Sequence, residues 1–114
     1  MNIKRGDVYL AALDPVMGRE ISKTRPVVVV SNDVNNEFSA TVTILPITSK
    51  KTQPIYPFEV FLPQGHANLP KDSKIKADQI RTLDKGRLVK YIGFLADADT
   101  DAMDRAMKIH LALL

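Results

Sequence analysis

The chain of 114 residues reads as a mainly β domain closed by one C-terminal helix, with the strands rolled into a small, strongly curved β-barrel. Three observations predict this. Short runs of β-branched and aromatic residues alternate with turn signals through the first five-sixths of the chain. One run, TRPVVVVSN, carries four consecutive valines, which suits a strand buried on both faces. Past Leu95 the hydrophobic period becomes helical.

The first strand is expected over Gly6–Leu13, with Gly6 serving a tight turn before it. Asp14-Pro15 ends it, because proline lacks an N–H and pushes its predecessor into extended backbone. VMGREISKT is a polar loop leading to the second strand, Arg25–Ser31. DVNNEF follows as a turn or a single helical turn, with Asp33 as its local cap. Ala40–Thr48 is the third strand, and Pro46 within it implies an edge or a bulge. A fourth strand is expected over Tyr56–Leu62, a long turn over Pro63–Asp72 and a partly alternating strand over Ser73–Leu83. In that last strand Ile75, Ala77, Gln79 and Arg81 share one side. Leu88–Leu95 is the final strand. In the tail, Met103, Ala106, Met107, His110, Leu111 and Leu114 repeat at helical spacing. Asp99, Asp101 and Asp104 stand early and Lys108 late, as the helix dipole favours.

This length suits one domain, residues 1–114, burying about two-thirds of its unfolded surface around one core. Hydrophobic residues at 45% and charged residues at 25% exclude wholesale disorder. The formal charge of +3 permits a polyanionic partner without demanding one. With no cysteine and two histidines, neither a disulfide framework nor a zinc site is expected. MNIKRGDVYL does not read as a signal peptide, and no run approaches a membrane span, so a cytoplasmic protein without membrane attachment is expected.

Arg25 stands at the mouth of the valine strand. Pro26 fixes its own φ and holds Arg25 extended, so the backbone sets where the guanidinium starts. An arginine there is either a solvated strand end paired with an acid or a ligand for an anion. Thr48, Ser49 and Lys50 end the third strand where Thr24-Arg25 begin the second. Antiparallel pairing of the two would bring the Thr48 and Ser49 hydroxyls to Arg25, and Glu20 from the preceding loop can join them. Guanidinium, hydroxyls and a carboxylate suit a phosphodiester. The guanidinium matches phosphate oxygens in a fork. Hydroxyls donate to the developing oxyanion, and a carboxylate can accept the proton of an attacking 2′-OH of RNA.

Five segments carry a family resemblance: RGDVYLAALDPVMGRE, KTRPVVVVSND, LPITSK, YPFEVFL and ADQIRTLDKGRL. In order and spacing the chain resembles the MazF/PemK/Kid toxins of bacterial toxin–antitoxin pairs. The resemblance implies a homodimeric SH3-like barrel of the CcdB/PemK type. It implies an endoribonuclease that cuts single-stranded RNA at short sequences, without metal or other cofactor. The products would be 2′,3′-cyclic phosphate and 5′-hydroxyl ends. It also implies a cognate antitoxin that blocks the enzyme, and DNA binding by the toxin–antitoxin complex. Carried over by position, Arg25 and Thr48 match the catalytic pair, and Glu20 an acidic residue of the first loop. Asp78 and Gln79 fall where relatives approach RNA, and Ser49, Lys50 and Asn32 complete the RNA-contacting set. Ile21-Ser22-Lys23-Thr24 departs from the family pattern in having no glycine before the RP pair.

Plainer readings stand beside these. Glu20 also suits a surface pair with Lys23 or Arg25, and Asp78 a pair with Lys76 or Arg81. Lys50, Lys51, Lys71, Lys74 and Lys76 suit either a basic rim for RNA phosphates or a solubilising surface. His66 reads as exposed and idle, His110 as helix packing, and the methionine–leucine stripe as core or dimer surface. Two other functions keep the same fold: a catalytically silent RNA- or antitoxin-binding module, and a gyrase-binding poison like CcdB. The latter relies on a tryptophan near the helix end, and this chain has no tryptophan.

Overall fold

The computed structural model describes residues 2–113. Seven strands form one antiparallel sheet. They are β1 (Asp7–Ala12), β2 (Thr24–Val29), β3 (Thr41–Thr48), β4 (Glu59–Leu62), β5 (Ser73–Lys76), β6 (Arg81–Asp84) and β7 (Leu88–Phe94). A short helix α1 (Asp33–Phe38) follows β2, and α2 (Asp97–His110) closes the chain. The pairing path runs β4-β5-β3-β2-β1-β7, with β6 also on β3. β7-β1-β2-β3-β6 therefore curl into most of a barrel. Two register shifts in the β1–β7 ladder add twist to that curl. β6 and β7 are joined by a 3-10 turn at Lys85–Arg87, and no ladder links them among the described residues. The barrel is open at that seam and is closed by side chains: Leu83 and Leu88 share one core.

The valine run is buried on both faces, as its composition predicts. Val27 and Val29 point into the barrel with Tyr9, Val42 and Ile44. Val28 points outward into a second core with Leu45, Ile47 and Ile75, covered by Met103 and Ala106 of α2. Val27, Val28 and Val29 have no exposed surface, which stabilises the fold by about 1.5–3 kcal/mol for each side chain. Gly6 takes φ +91° and donates its N–H to Val29 O at 2.8 Å, the tight turn expected before β1.

Several elements differ from the sequence reading. The single strand expected over Ser73–Leu83 is two strands split by a 3-10 turn, Ala77–Gln79. β3 pairs with both, Ile44 opposite Arg81 and Ile47 opposite Ile75. Between these pairs β3 advances three residues and its partner six. The surplus, Ala77, Asp78 and Gln79, leaves the ladder, so Gln79 does not continue the alternation of Ile75. Pro46 is accordingly not on an edge strand. It sits in a central strand at the partner switch, where the ladder on that side is interrupted. β4 starts only at Glu59, because Tyr56–Phe58 turn back and Glu59 donates its N–H to Tyr56 O at 2.9 Å.

Asn32, not Asp33, caps α1: its side chain accepts the Asn35 N–H at 2.8 Å. Asp33 instead accepts the Arg5 N–H at 2.7 Å, which holds its carboxyl below the usual range. His66 is not idle; its Nδ1 lies 2.8 Å from Asp99 Oδ2 in the first turn of α2. The helical stripe buries only its first part. Met103 and Ala106 are buried and Met107 half-buried, but His110 and Leu111 are exposed, His110 with its ring 6.3 Å from that of Phe58, and Leu114 lies outside the described residues.

Gly93 of β7 lies under the loop after β4. A Cβ there would stand 2.8 Å from Ala67 O and 2.9 Å from Asn68 Nδ2. Gly93→Ala is expected to destabilise the protein by about 1–3 kcal/mol, since a backbone atom must yield. Urea unfolding of the variant checks this, and wild-type stability would show that the loop can yield freely.

Candidate active site

The β2–β3 ladder decides what meets at the strand ends. Val27 pairs with Pro46, and carried on through Pro26 and Ile47 the register brings Arg25 opposite Thr48. Thr48 in turn pairs with Lys74 of β5, and Lys74 with Phe61 of β4. Strand alternation puts this row on one face of the sheet.

Arg25 is half-buried. Its Nε donates to Ser22 O at 3.2 Å, tying the guanidinium to its own loop. None of the ion pairs among the described residues involves Arg25. A desolvated guanidinium without an acid is a ready anion ligand. Thr48 Oγ1 accepts the Lys50 N–H at 3.1 Å, so its own O–H remains a donor. Arg25 and Ser49 line one cleft of about 230 Å³ with Pro26, Ile47, Lys71 and Ser73.

Glu20, Asp78 and Gln79 gather elsewhere. They line a larger cleft of about 530 Å³ with Met17, Arg19, Pro46 and Arg81. Pro46 walls one cleft and Ile47 the other, so the two depressions lie on either side of the β3 end. Glu20 Oε1 accepts the Met17 N–H at 2.8 Å and closes its own loop. Gln79 Oε1 accepts the Ile21 N–H at 2.8 Å, so the surplus turn after β5 fixes the loop that precedes Arg25. Just before Arg25, residues 21–24 lack glycine, and Lys23 takes the left-handed conformation at φ 67°, as Gly18 does earlier in the same loop at φ 58°. Lys23 is held there by donating its N–H to Asp14 Oδ1 at 3.0 Å and accepting the Leu13 N–H at 2.9 Å. Lys50 is exposed at the end of β3. Asn32 stands at the opposite end of β2, with its side-chain oxygen committed to the α1 cap.

Lys74 is not part of a basic rim. It is buried, and its Nζ lies 3.1 Å from Glu59 Oε1. Lys76 Nζ lies 2.8 Å from Glu59 Oε2 and 3.8 Å from Asp78. Burial acts to raise the Glu59 pKa, but donations from Lys76, the Tyr56 N–H and Lys74 outweigh it and hold the carboxyl below its ordinary value. Lys74 also reaches Pro54 O at 3.5 Å. The cluster thus ties the connection after Thr48 to β4, β5 and the Asp78 turn. Glu59 was invisible in the sequence because its partners lie 15 and 17 residues away on a neighbouring strand. Arg19 and Arg81 were missed for a similar reason: only the folded clefts give them company.

Residues 4–111 match the family of PemK-like, MazF-like toxins of type II toxin–antitoxin systems. Among solved structures, an endoribonuclease from a mycobacterial species in complex with its cognate antitoxin superposes with a TM-score of 0.82 at 25% identity, over 98% of this chain and 97% of that one. An endoribonuclease from a mycobacterial species gives 0.80 at 26% identity, over 99% and 94%. MazF from Deinococcus radiodurans gives 0.84 at 24% identity, over 99% of both, a likeness of fold.

Neutralising the buried carboxylate leaves two lysines without their partner. Glu59→Gln is expected to cost about 3 kcal/mol at pH 7. Because the folded pKa of Glu59 is depressed, its contribution is complete above the ordinary 4.5 and is lost as pH falls through the folded value. The gap between wild type and Glu59→Gln in urea unfolding should therefore be constant above pH 4.5 and shrink below it. A gap that ignores acid would rule out the ionised cluster.

Proposed function

The chain belongs to the PemK-like, MazF-like toxins of type II toxin–antitoxin systems, and we propose that it is an endoribonuclease that cuts single-stranded RNA at short sequences without a metal ion. The observation that carries the reading is Arg25, half-buried, free of any acid among the described ion pairs, and level with Thr48 when the β2–β3 register is extended past its last pair, Val27 and Pro46. In the proposed step the substrate's 2′-oxygen attacks the adjacent phosphorus and the bond to the 5′-oxygen breaks. The leaving 5′-oxygen takes a proton from solvent water, so the products are a 2′,3′-cyclic phosphate and a 5′-hydroxyl. Arg25 holds the non-bridging oxygens as charge builds on them. Thr48 donates its O–H to the same phosphate, and Ser49 is the second donor. Glu20 is the proposed acceptor of the 2′-OH proton. Its Oε1 is occupied by the Met17 N–H, so the proton would go to the other oxygen. Asp78 and Gln79 face the larger cleft, where their amide and carboxylate suit base edges. Lys50 lies on the path of the backbone.

The proposed setting is cytoplasmic, as a homodimer neutralised by a cognate antitoxin. Support comes from the mycobacterial relative bound to its antitoxin and from Ile109, Leu111 and Leu113, which are exposed at the end of α2 and suit a protein interface. No helix among the described residues is long and apolar enough to cross a membrane.

Cleavage of a long mixed-sequence RNA in excess EDTA tests the chemistry, with a DNA of the same sequence beside it and end-group analysis of the fragments. Arg25→Ala is expected to lower cleavage about a hundredfold or more, because an electrostatic donor to the transition state is lost. The variant should fold, since Arg25 contributes one hydrogen bond at a half-exposed strand end. Near-wild-type cutting by Arg25→Ala would remove the mechanism. Intact RNA bound by the wild type would make the protein a silent binding module.

A further inference from the structure

The smaller cleft has a second wall that the roles of Arg25 and Ser49 leave unused. It is built by the end of the loop between β4 and β5, Leu69-Pro70-Lys71, with Ser73 behind it. This wall is anchored. Gly65 donates its N–H to Leu69 O at 2.8 Å, and Gln64 donates its N–H to Asp72 Oδ1 at 2.8 Å. The Asn68 side chain donates to Ile92 O at 3.0 Å, and His66 meets Asp99 of α2. The Ser73 hydroxyl is buried and donates to Lys71 O at 2.9 Å, which fixes the backbone of the lysine. Lys71 itself is exposed at the rim.

The chemistry of the cleft is one-sided. Pro26, Ile47, Leu69 and Pro70 make it apolar, Arg25 and Lys71 give it two cations, and no carboxylate lines it. A volume of about 230 Å³ lies below the roughly 300 Å³ at which sites for drug-sized ligands begin, and suits one planar base rather than two.

We propose that this cleft is a nucleotide subsite. It takes the base next to the scissile phosphate against Pro26, Ile47, Leu69 and Pro70, and Lys71 binds the next phosphate along the strand. The inference rests on the RNA-cutting reading above and goes beyond it by assigning Lys71 and its loop. The two cations of the cleft, Arg25 and Lys71, are taken up by phosphates in this arrangement, and the cleft offers no side-chain amide or carboxylate for bidentate contact with a base edge. Its occupant is therefore recognised as a flat apolar body, and base identity is read in the larger cleft by Asp78 and Gln79.

Two arms test this with the full chain. In the first, affinity for oligo-U and oligo-A RNA is measured against salt for wild type, Lys71→Ala and Lys71→Arg. Lys71→Ala should weaken both RNAs alike and reduce the slope of log affinity on log salt by about 0.7, the loss of one phosphate contact, while Lys71→Arg keeps the slope. A wild-type slope for Lys71→Ala overturns the subsite whether or not RNA is cut. In the second arm, the mapped cleavage sequence carries a single abasic nucleotide on one or the other side of the cut. Removing one of these two bases should lower kcat/KM about tenfold, and exchanging it for another base should change kcat/KM less than threefold. Normal cutting of both abasic substrates overturns the subsite and leaves the nuclease standing. RNA that is bound with a Lys71-dependent slope and never cut supports the contact and removes the nuclease.

Discussion

The partner switch along β3 is the constraint on which the rest of the molecule depends. One strand must pair with β6 over its first half and β5 over its end, on the same side. Those two strands belong to one run of chain that is three residues too long for a continuous ladder. The excess has to leave the sheet, and it does so as the Ala77–Gln79 turn. That single mismatch of lengths pushes Asp78 and Gln79 outward, and Gln79 then takes the Ile21 N–H and fixes the loop before Arg25. Pro46 stands at the interruption, where a residue without an N–H forfeits least.

The charges around the strand ends divide into two kinds. Glu59, Lys74 and Lys76 are satisfied by one another in the sheet. A buried group of this kind adds little net stability compared with apolar residues, and breaking it is costly. Its effect is to fix geometry: it ties together the connection after Thr48, the β4–β5 hairpin and the Asp78 turn. Arg25 is the other kind. Its guanidinium is partly desolvated and is held by a single carbonyl contact. Such a group gains most from an anion that comes from outside the protein. A rigid, internally neutralised frame next to an unneutralised cation is the arrangement that electrostatic stabilisation of a transition state needs, because the frame does not reorganise as charge develops.

The last left-handed turn before β2 is made without glycine. Lys23 adopts the left-handed backbone, and the contacts to Asp14 and Leu13 hold it there. Left-handed backbone is unfavourable for a lysine, so surrounding hydrogen bonds must impose it. The loop therefore keeps its course through tertiary contacts where local sequence preference would not.

By itself the sequence determined what depends on local pattern. The valine run, the Asp14-Pro15 stop, the helical period of the tail and the pairing of Arg25 with Pro26 all act within a few residues, and hydrophobic periodicity and backbone sterics read them directly. The ordering of the segments also carried the family resemblance that the match over residues 4–111 bears out. The tertiary structure decided whatever depends on register between distant strands. Only pairing showed that Ser73–Leu83 must break, that Lys74 is drawn inward to Glu59, and that Glu20 and Arg25 line different clefts. It also decided where the stripe of α2 stops being covered, which is after Met107, since His110 and Leu111 are exposed. The physical reason is common to all of these. A residue's neighbours across a sheet are set by how many residues separate its pairing partners, and composition and local periodicity contain no record of that count.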